Sequence, residues 1–176
     1  MHPIEIRDTL ASMVVLVDSR EKDTPALGKR LNATGRPVER VALTSGDYSC
    51  KIVLPDGTGV NFSNKISIER KLGLVELCTC FCKGRERFTR EFERMKAMGG
   101  RMYLLVENAS WEDVYSGRYR SQMNPNALVA SILAWQARYQ TSLIFCKAET
   151  SGKLIGDILY REAKEALERG DFDTNV

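Results

Sequence analysis

The sequence has 176 residues, of which 43% are hydrophobic and 28% are charged, and its formal net charge is +3. This size and composition are typical of one ordinary soluble domain, and the mild charge does not by itself indicate a nucleic-acid partner. The early apolar run, Met13 to Val17, is too short for a signal-peptide core or a membrane span. We therefore expect an intracellular, cytoplasmic protein that does not bind a membrane.

A strand and a short helix are the first predicted elements. The β-branched run "MVVLVDS" predicts a buried strand that ends at Asp18. Thr24 and Pro25 are typical of a helix N-cap and first helical position, and Gly35 follows as a stop. The segment before the strand, which holds the only histidine, His2, is expected to be loose.

A long hairpin is predicted next. "VERVALTS" resumes a strand, and "GDYSCKIVLPDGTGVNFSNKISIERK" reads as two strands around the turn-forming "PDGTG". Side chains alternate along a strand, so Glu69 and Lys71 share one face while Arg70 points to the other with the apolar residues. Asp47 of "GDY" lies across from Glu69 if the hairpin register places it there.

Helices and strands alternate in the second half of the chain. "LGLVELCTCF" and "RERFTREFERMKAM" predict helices, "RMYLLVEN" and "TSLIFCK" predict strands, and Asn124 caps a helix that continues to Tyr139. A last helix is expected from about Lys153 to Arg169, followed by a loose tail, "DFDTNV". This order predicts an α/β fold: a mixed central sheet with an early β-hairpin and helices on both faces.

The five cysteines are expected to be free thiols, because their number is odd and the compartment is reducing. Three of them form "CTCFC", a spacing that raises the alternative of a metal site. A structural zinc needs four ligands, and His2 is remote, so we favour small residues packed in a helix.

Basic residues concentrate in two stretches. Between Lys83 and Arg101 there are seven basic and three acidic residues, which indicates either a phosphate footprint or a solvated helix face. Later, "GRYR" precedes the helix that carries Trp135; it is either a clamp for single-stranded DNA or an ordinary surface loop over a core tryptophan. The candidate DNA-binding residues are Lys83, Arg85, Arg87, Arg118 and Arg120.

The candidate chemistry lies at the hairpin. Carboxylates of Asp47 and Glu69 on adjacent strands would form a hard oxygen site of the kind that Mg²⁺ or Mn²⁺ prefers. Lys71 beside them would orient or help deprotonate an attacking water and offset charge on phosphorus. Asp18 also ends a predicted strand, where active sites of α/β sheets gather. Alternatively, Asp18 caps the next turn and the following "SRE" is a surface cluster.

The motifs "VLVDSREK", "GDY" and "IERK", followed by "GRERF", "YLLVE" and "TSLIFC", occur in this order over roughly residues 14–168. Together they resemble the nuclease domain of the XPF-type structure-specific endonucleases, including the archaeal Hef nuclease, in the PD-(D/E)xK class. The resemblance implies a restriction-endonuclease-like fold and one nuclease domain over residues 1–176, without a helix-hairpin-helix domain.

The resemblance also implies roles for individual residues. Asp47 and Glu69 match the metal-binding acids, Asp18 matches an additional metal-site acid, and Lys71 matches the catalytic lysine.

Supporting residues follow from the same motifs. Arg20 and Glu21 match polar neighbours of the site, and Arg70 is expected to form a buried salt bridge that braces the hairpin. A family arginine follows the motif, and the spacing leaves either Arg85 or Arg87 as its match.

Two features depart from the family pattern. Val75 stands where the family has an aspartate, with Glu76 beside it. The sequence contains no helix-hairpin-helix segment, so grip on DNA would come from the nuclease domain, from a homodimer or from a separate DNA-binding partner. The resemblance implies pairing through C-terminal helices, so the helices over Leu128–Tyr139 and Leu154–Leu167 bury either an interface between two copies or a monomer core.

We therefore expect a Mg²⁺- or Mn²⁺-dependent endonuclease that cuts branched, forked or flapped DNA in repair or recombination. The alternatives are a non-catalytic DNA-binding or dimerisation module of the same fold, and a nuclease of a mobile element or defence system.

Overall fold

A computed structural model describes residues 1–172 of the chain. The last four residues of the predicted loose tail, 173–176, lie outside the described part. The strands are β1 Val14–Asp18, β2 Val38–Val41, β3 Tyr48–Val53, β4 Gly59–Asn61, β5 Ile66–Lys71, β6 Arg101–Glu107 and β7 Ser142–Cys146. The helices are α1 Pro3–Ala11, α2 Pro25–Ala33, α3 Leu74–Phe81, α4 Arg85–Ala97, α5 Trp111–Ser116, α6 Pro125–Tyr139 and α7 Ala148–Arg169.

All seven strands form one mixed sheet in the order β2-β1-β3-β5-β6-β7, with β4 paired to β3 beside this path. The pairs β1–β2, β5–β6 and β6–β7 are parallel, and β3 is antiparallel to each of its neighbours. Strands β1, β5 and β6 therefore end at the same edge of the sheet. The predicted α/β architecture with a mixed sheet is confirmed.

The predicted hairpin is present, but its second arm is divided. β3 pairs with β4 across the "PDGTG" turn, and the chain then continues into β5, where Tyr48 is aligned with Ile68. This antiparallel register places Asp47 directly across from Glu69, so the condition that the sequence left open is met.

Helices cover both faces of the sheet. One core lies under α1, α2 and α7 and includes Val15, Ile68 and Leu159. The other lies under α3, α4, α5 and α6 and includes Leu104 and Trp135. Each helix presents an apolar stripe to the sheet, which fixes the strand ends that carry the candidate site.

The helix faces proposed for a homodimer are part of these monomer cores. The stripe of α6 (Leu128, Ile132, Trp135 and Tyr139) is buried under the sheet, and α7 buries Ile155, Leu159 and Leu167 against the opposite face. Of the two alternatives for these helices, the monomer core is confirmed for the stripes, because sheet packing covers them.

The N-terminus also differs from expectation. Residues Pro3–Ala11 form α1 rather than a loose segment, and His2 caps it: the imidazole accepts a hydrogen bond from the Ile4 amide while Glu5 accepts one from the His2 amide. The final helix begins at Ala148, earlier than predicted. None of the helices within residues 1–172 combines the length and apolarity needed to cross a bilayer.

The cysteines behave as the packing interpretation predicts. All five are free thiols, with Cys78 and Cys80 buried in α3 and Cys82 exposed at its end. Two of the three cysteines of the "CTCFC" run therefore contribute to the core.

Candidate active site

An acidic cavity of about 230 Å³ opens where β1 and β5 end and β3 begins. Eight of the predicted site residues line it: Asp18, Arg20, Glu21, Asp47, Glu69, Arg70, Lys71 and Arg87. Glu76 and Glu91 complete the polar wall. The convergence follows from topology, since β1 and β5 run parallel and the start of antiparallel β3 meets their carboxyl ends.

Asp47 and Glu69 approach each other from adjacent strands. The amide of Asp47 donates to the Ile68 carbonyl at 2.8 Å, which continues the β3–β5 ladder to the edge of the cavity. The Asp47 side chain turns back across that ladder, and its Oδ2 accepts a 2.7 Å hydrogen bond from the Arg70 amide. The two carboxylates therefore face the same cavity.

The environment of Asp47 disfavours its charge. Burial, together with the negative charge of Glu69, raises the pKa of the Asp47 carboxyl well above its ordinary value. The nearby Lys71 ammonium and the Arg70 amide counteract this only in part. A bound cation would relieve the cost of holding both acids ionised.

Glu69 and Lys71 form a buried ion pair on one face of β5. Each residue is 5% exposed, and the Lys71 Nζ donates to Oε1 of Glu69. Burial raises the pKa of Glu69 despite the opposing charge of Lys71. Burial alone would lower the pKa of Lys71, but the negative charge of Glu69 and the hydrogen bond to it outweigh burial and hold that pKa above its usual range. Lys71 is therefore a cation at neutral pH.

Asp18, at the end of β1, is clamped by Arg20. Oδ1 accepts the Arg20 amide at 2.7 Å and its Nε at 2.8 Å, while a terminal guanidinium nitrogen donates to Oδ2. Burial would raise the pKa of Asp18, but these hydrogen bonds and the Arg20 charge outweigh it, so the pKa lies below its ordinary value. Asp18 is thus both a lining acid and the anchor of the turn after β1.

Within residues 1–172, no group of three or more His, Cys, Asp or Glu side chains has an arrangement that could hold a metal ion. Asp18, Asp47 and Glu69, the three predicted ligands, line one cavity but do not form such a group. Asp18 is hydrogen-bonded to Arg20, and Glu69 to Lys71. The donor chemistry nevertheless fits a hard divalent cation, since Asp47 and Glu69 are neighbouring carboxylates whose ionisation is disfavoured without a counter-charge.

A second polar group, which the motifs did not single out, braces the sheet behind the cavity. Glu107, at the end of β6, is fully buried; its Oε2 lies 2.9 Å from Arg70 and its Oε1 lies 3.2 Å from Arg30 of α2. Arg30 also donates to the Tyr48 hydroxyl at 3.4 Å. The expected salt bridge of Arg70 is present, but it joins β5 to its parallel neighbour β6 rather than the hairpin arms to each other.

The structure separates the two arginines at the start of α4. Arg87 lines the acidic cavity, whereas the Arg85 guanidinium lies 5.2 Å from the centre of the Trp135 ring and donates to the Phe81 carbonyl at 3.3 Å. Trp135 is 1% exposed, so the interpretation of this residue as core is confirmed. Only Arg87 of this pair is placed to meet a group bound between the acids.

The remaining candidate DNA-binding residues lie outside the cavity. Lys83 is exposed in the turn between α3 and α4, and Arg120 is exposed in the loop before α6. Arg118 pairs with Asp113 at 2.8 Å and lines a neighbouring groove.

Glu76, beside Val75, contacts the end of β5. Its Oε2 accepts the Leu72 amide at 2.7 Å, and its Oε1 lies 3.8 Å from the Lys71 Nζ. Glu76 therefore closes the β5–α3 turn, while Val75 is 48% exposed beside it.

The chain matches the family model described as the ERCC4 domain over residues 17–157. It is also similar to a solved structure of XPF from Aeropyrum pernix, with 21% identity, a TM-score of 0.62, and coverage of 90% of this chain and 69% of that one. For XPF from Aeropyrum pernix in complex with DNA, the identity is 23%, the TM-score 0.60, and the coverage 86% of this chain and 65% of that one. At these identities, the likeness to the solved structures shows the fold. No match was found among curated proteins.

Proposed function

We propose that this chain, which belongs to the ERCC4 domain family, is a Mg²⁺- or Mn²⁺-dependent endonuclease that hydrolyses phosphodiester bonds in branched, forked or flapped DNA. One observation carries the proposal: two neighbouring carboxylates, Asp47 and Glu69, and the Lys71 ammonium face one cavity at the end of a strand. That DNA is the substrate is supported by the family and by the DNA in a complex of similar fold.

Asp47 and Glu69 would hold the divalent cation, with water and a phosphate oxygen as further ligands. When bound, the cation would supply a Lewis acid for the phosphate and lower the pKa of a water molecule. Asp18, kept deprotonated by Arg20, would add negative charge to the same cavity and support the cation from the end of β1.

Lys71 would act through its charge. Because its pKa is raised, the ammonium keeps its proton and is a poor general base. In the hydrolysis, the oxygen of water loses a proton to the solvent and forms a bond to phosphorus, the bond from phosphorus to the leaving oxygen breaks, and that oxygen takes up a proton from the solvent. Lys71 would offset the negative charge that grows on the phosphoryl oxygens, and it would hold Glu69 in position throughout.

Arg87 is the side chain that we propose for binding the scissile phosphate. It lines the acidic cavity from α4, and a guanidinium matches two phosphate oxygens. Exposed Lys83 and Arg120 would contact the DNA backbone farther from the reacting bond.

A homodimer stays a prediction. All the residues proposed for catalysis come from one copy of the chain, and a second copy would have to bind outside the buried stripes of α6 and α7.

The proposal is tested with the purified protein and labelled fork, flap and linear duplex DNA in Mg²⁺, Mn²⁺ or EDTA. The Glu69→Gln variant should lose at least about a thousandfold in cleavage rate, the scale expected when a central transition-state group is removed. The matched control is Glu86→Gln, because the Glu86 side chain is 94% exposed on α4. Equal cleavage by wild type and Glu69→Gln, or cleavage that persists in EDTA, would refute the assignment.

A further inference from the structure

A second, larger groove adjoins the acidic cavity. It encloses about 540 Å³ at the junction of β5 and α3, and the loop before α6 forms its far wall. This volume falls within the range of about 300–1,000 Å³ typical of ligand pockets. The groove is therefore large enough for a molecular group the size of a nucleotide.

Apolar side chains dominate the near wall. Leu72 is 62% exposed and Val75 is 48% exposed, although both are large hydrophobic residues. Tyr119 lines the opposite side, and its hydroxyl is fixed by a 3.1 Å hydrogen bond to the Met123 carbonyl. Apolar side chains grouped at the rim of a polar cavity indicate a binding surface.

The groove and the acidic cavity share a wall. Glu76 lines both, and its Oε2 accepts the Leu72 amide at 2.7 Å. Leu72 directly follows Lys71, so the groove begins one residue from the ammonium proposed to act on the phosphate. A chain molecule with one unit in the acidic cavity can place its next unit in the groove.

Apart from the Glu76 carboxylate on the shared wall, the polar groups around the groove suit an anion attached to an apolar group. Arg118 lines it with a side chain that is 61% exposed, and only its Nε faces Asp113, at 2.8 Å. Helix α3 begins at the groove with Gly73 as its N-cap and without a side-chain cap, which adds backbone amides that favour negative charge. A nucleotide offers this combination of a flat base and a phosphate.

We propose that this groove binds an unpaired nucleotide of the DNA strand whose neighbouring phosphate lies in the acidic cavity. The base packs against Leu72, Val75 and Tyr119, and Arg118 contacts the adjoining phosphate. A paired base cannot enter, because its faces are stacked and its edge is bonded to the partner strand. The inference rests on the proposed nuclease function and deepens it, since it makes a single-stranded unit at a junction the feature that is recognised.

The test is a double-mutant cycle that combines a substitution in the protein with an abasic site in the DNA. Binding of the full chain to a fork with one unpaired arm is measured by fluorescence anisotropy in Ca²⁺, a hard cation that binds oxygen ligands, with an abasic site placed at successive positions along that arm. Leu72→Ala, and separately Val75→Ala, should weaken binding roughly 5- to 30-fold, as should an abasic site at one position near the junction. In combination, the two changes should weaken binding no more than either alone, because they remove the same contact.

Leu133→Ala is the matched control, because Leu133 on α6 is 48% exposed and does not line the groove. This variant should bind like wild type and keep the full effect of the abasic site. Circular dichroism melts of all variants establish that they are folded.

Two results would overturn the inference: additive effects of Leu72→Ala and the abasic site, or fork binding that Leu72→Ala leaves unchanged, as expected if the groove receives another protein. These outcomes are separate from the nuclease test, which depends on cleavage and on Glu69. Failure of the wild type to bind any DNA would overturn both proposals.

Discussion

The backbone amide of Arg70 donates a 2.7 Å hydrogen bond to Oδ2 of Asp47. Arg70 lies between Glu69 and Lys71 in β5, so this contact connects the backbone of β5 to Asp47 at the start of β3. The three proposed catalytic side chains are therefore held on two directly bonded segments. On the opposite face of β5, the Arg70 side chain is held by its ion pair with Glu107.

Asp47→Asn should separate stability from activity. The amide oxygen of the introduced asparagine side chain can still accept the Arg70 amide, while the charge that burial and Glu69 disfavour is removed. We expect a metal-free melting temperature equal to or above that of wild type, and a loss of at least about a hundredfold in cleavage. Differential scanning fluorimetry and cleavage assays measure the two effects. A variant that is both destabilised and fully active would contradict this account of Asp47.

The stability of wild type and that of Asp47→Asn should depend differently on pH. Burial and the Glu69 charge raise the folded-state pKa of Asp47 above the unfolded value of about 3.9. Between these two values the folded state keeps a proton that the unfolded chain has lost, so metal-free wild type loses stability as pH rises through the interval. Urea melts in EDTA at increasing pH should therefore show the free energy of unfolding of Asp47→Asn gaining on that of wild type. A constant difference across the series would rule out a raised pKa.

Metal binding should stabilise the fold through the proposed acids. A cation at ten times its dissociation constant adds about 1.4 kcal/mol, which corresponds to a few degrees in melting temperature for a chain of this size. Wild type and Glu86→Gln should show this shift with Mn²⁺ or Mg²⁺, whereas Glu69→Gln and Asp47→Asn should not. An undiminished shift in Glu69→Gln would place the ion elsewhere.

Local rules of the sequence predict part of the centre of the site, since strand alternation places Glu69 and Lys71 on one face. They do not set the position of Asp47: the register of the β3–β4 turn, continued unbroken, would place Lys65 across from it, and a shift of four residues between β4 and β5 places Glu69 there instead. The position of Arg87 required the tertiary structure, because residues two apart on a helix point about 200° away from each other and only packing decides which of Arg85 and Arg87 faces the cavity.

Other features were missed for physical reasons that differ from case to case. Histidine is not among the common N-cap residues, so the helix after His2 gave a weak signal. Glu107 ends a buried strand as Asp18 does, and the same pattern applied to "YLLVE" would have found it. The clamp of Arg20 on Asp18 and the burial of the α6 stripe depend on packing between distant segments, which residue spacing does not specify.

Removal of Glu107 should destabilise the sheet strongly. It is fully buried between Arg30 and Arg70, and Glu107→Ala would leave two guanidinium groups without their shared counter-charge. We expect a loss of about 3–5 kcal/mol in the free energy of unfolding, as for other buried ion pairs that lose one partner. Urea denaturation measures the loss, and Glu39→Ala is the control, because its ion pair with Lys51 is exposed and should contribute less than about 1 kcal/mol. A similar small loss at Glu107 would mean that solvent reaches this network.

The packing of α7 on α2 should depend on small residues in α7. A Cβ added at Gly156 would lie 2.4 Å from the Thr34 carbonyl oxygen, so Gly156→Ala must push the two helices apart. The expected cost is about 1–3 kcal/mol in the free energy of unfolding, measured by urea denaturation. Gly28→Ala provides the opposite case, because Gly28 lies within α2 and a Cβ there meets nothing within 4 Å. The free energy of unfolding of Gly28→Ala should rise by about 0.5–1 kcal/mol, from helix propensity and from reduced freedom of the unfolded chain. If Gly28→Ala instead lost as much stability as Gly156→Ala, the close α2–α7 contact would not be the cause of the loss at Gly156.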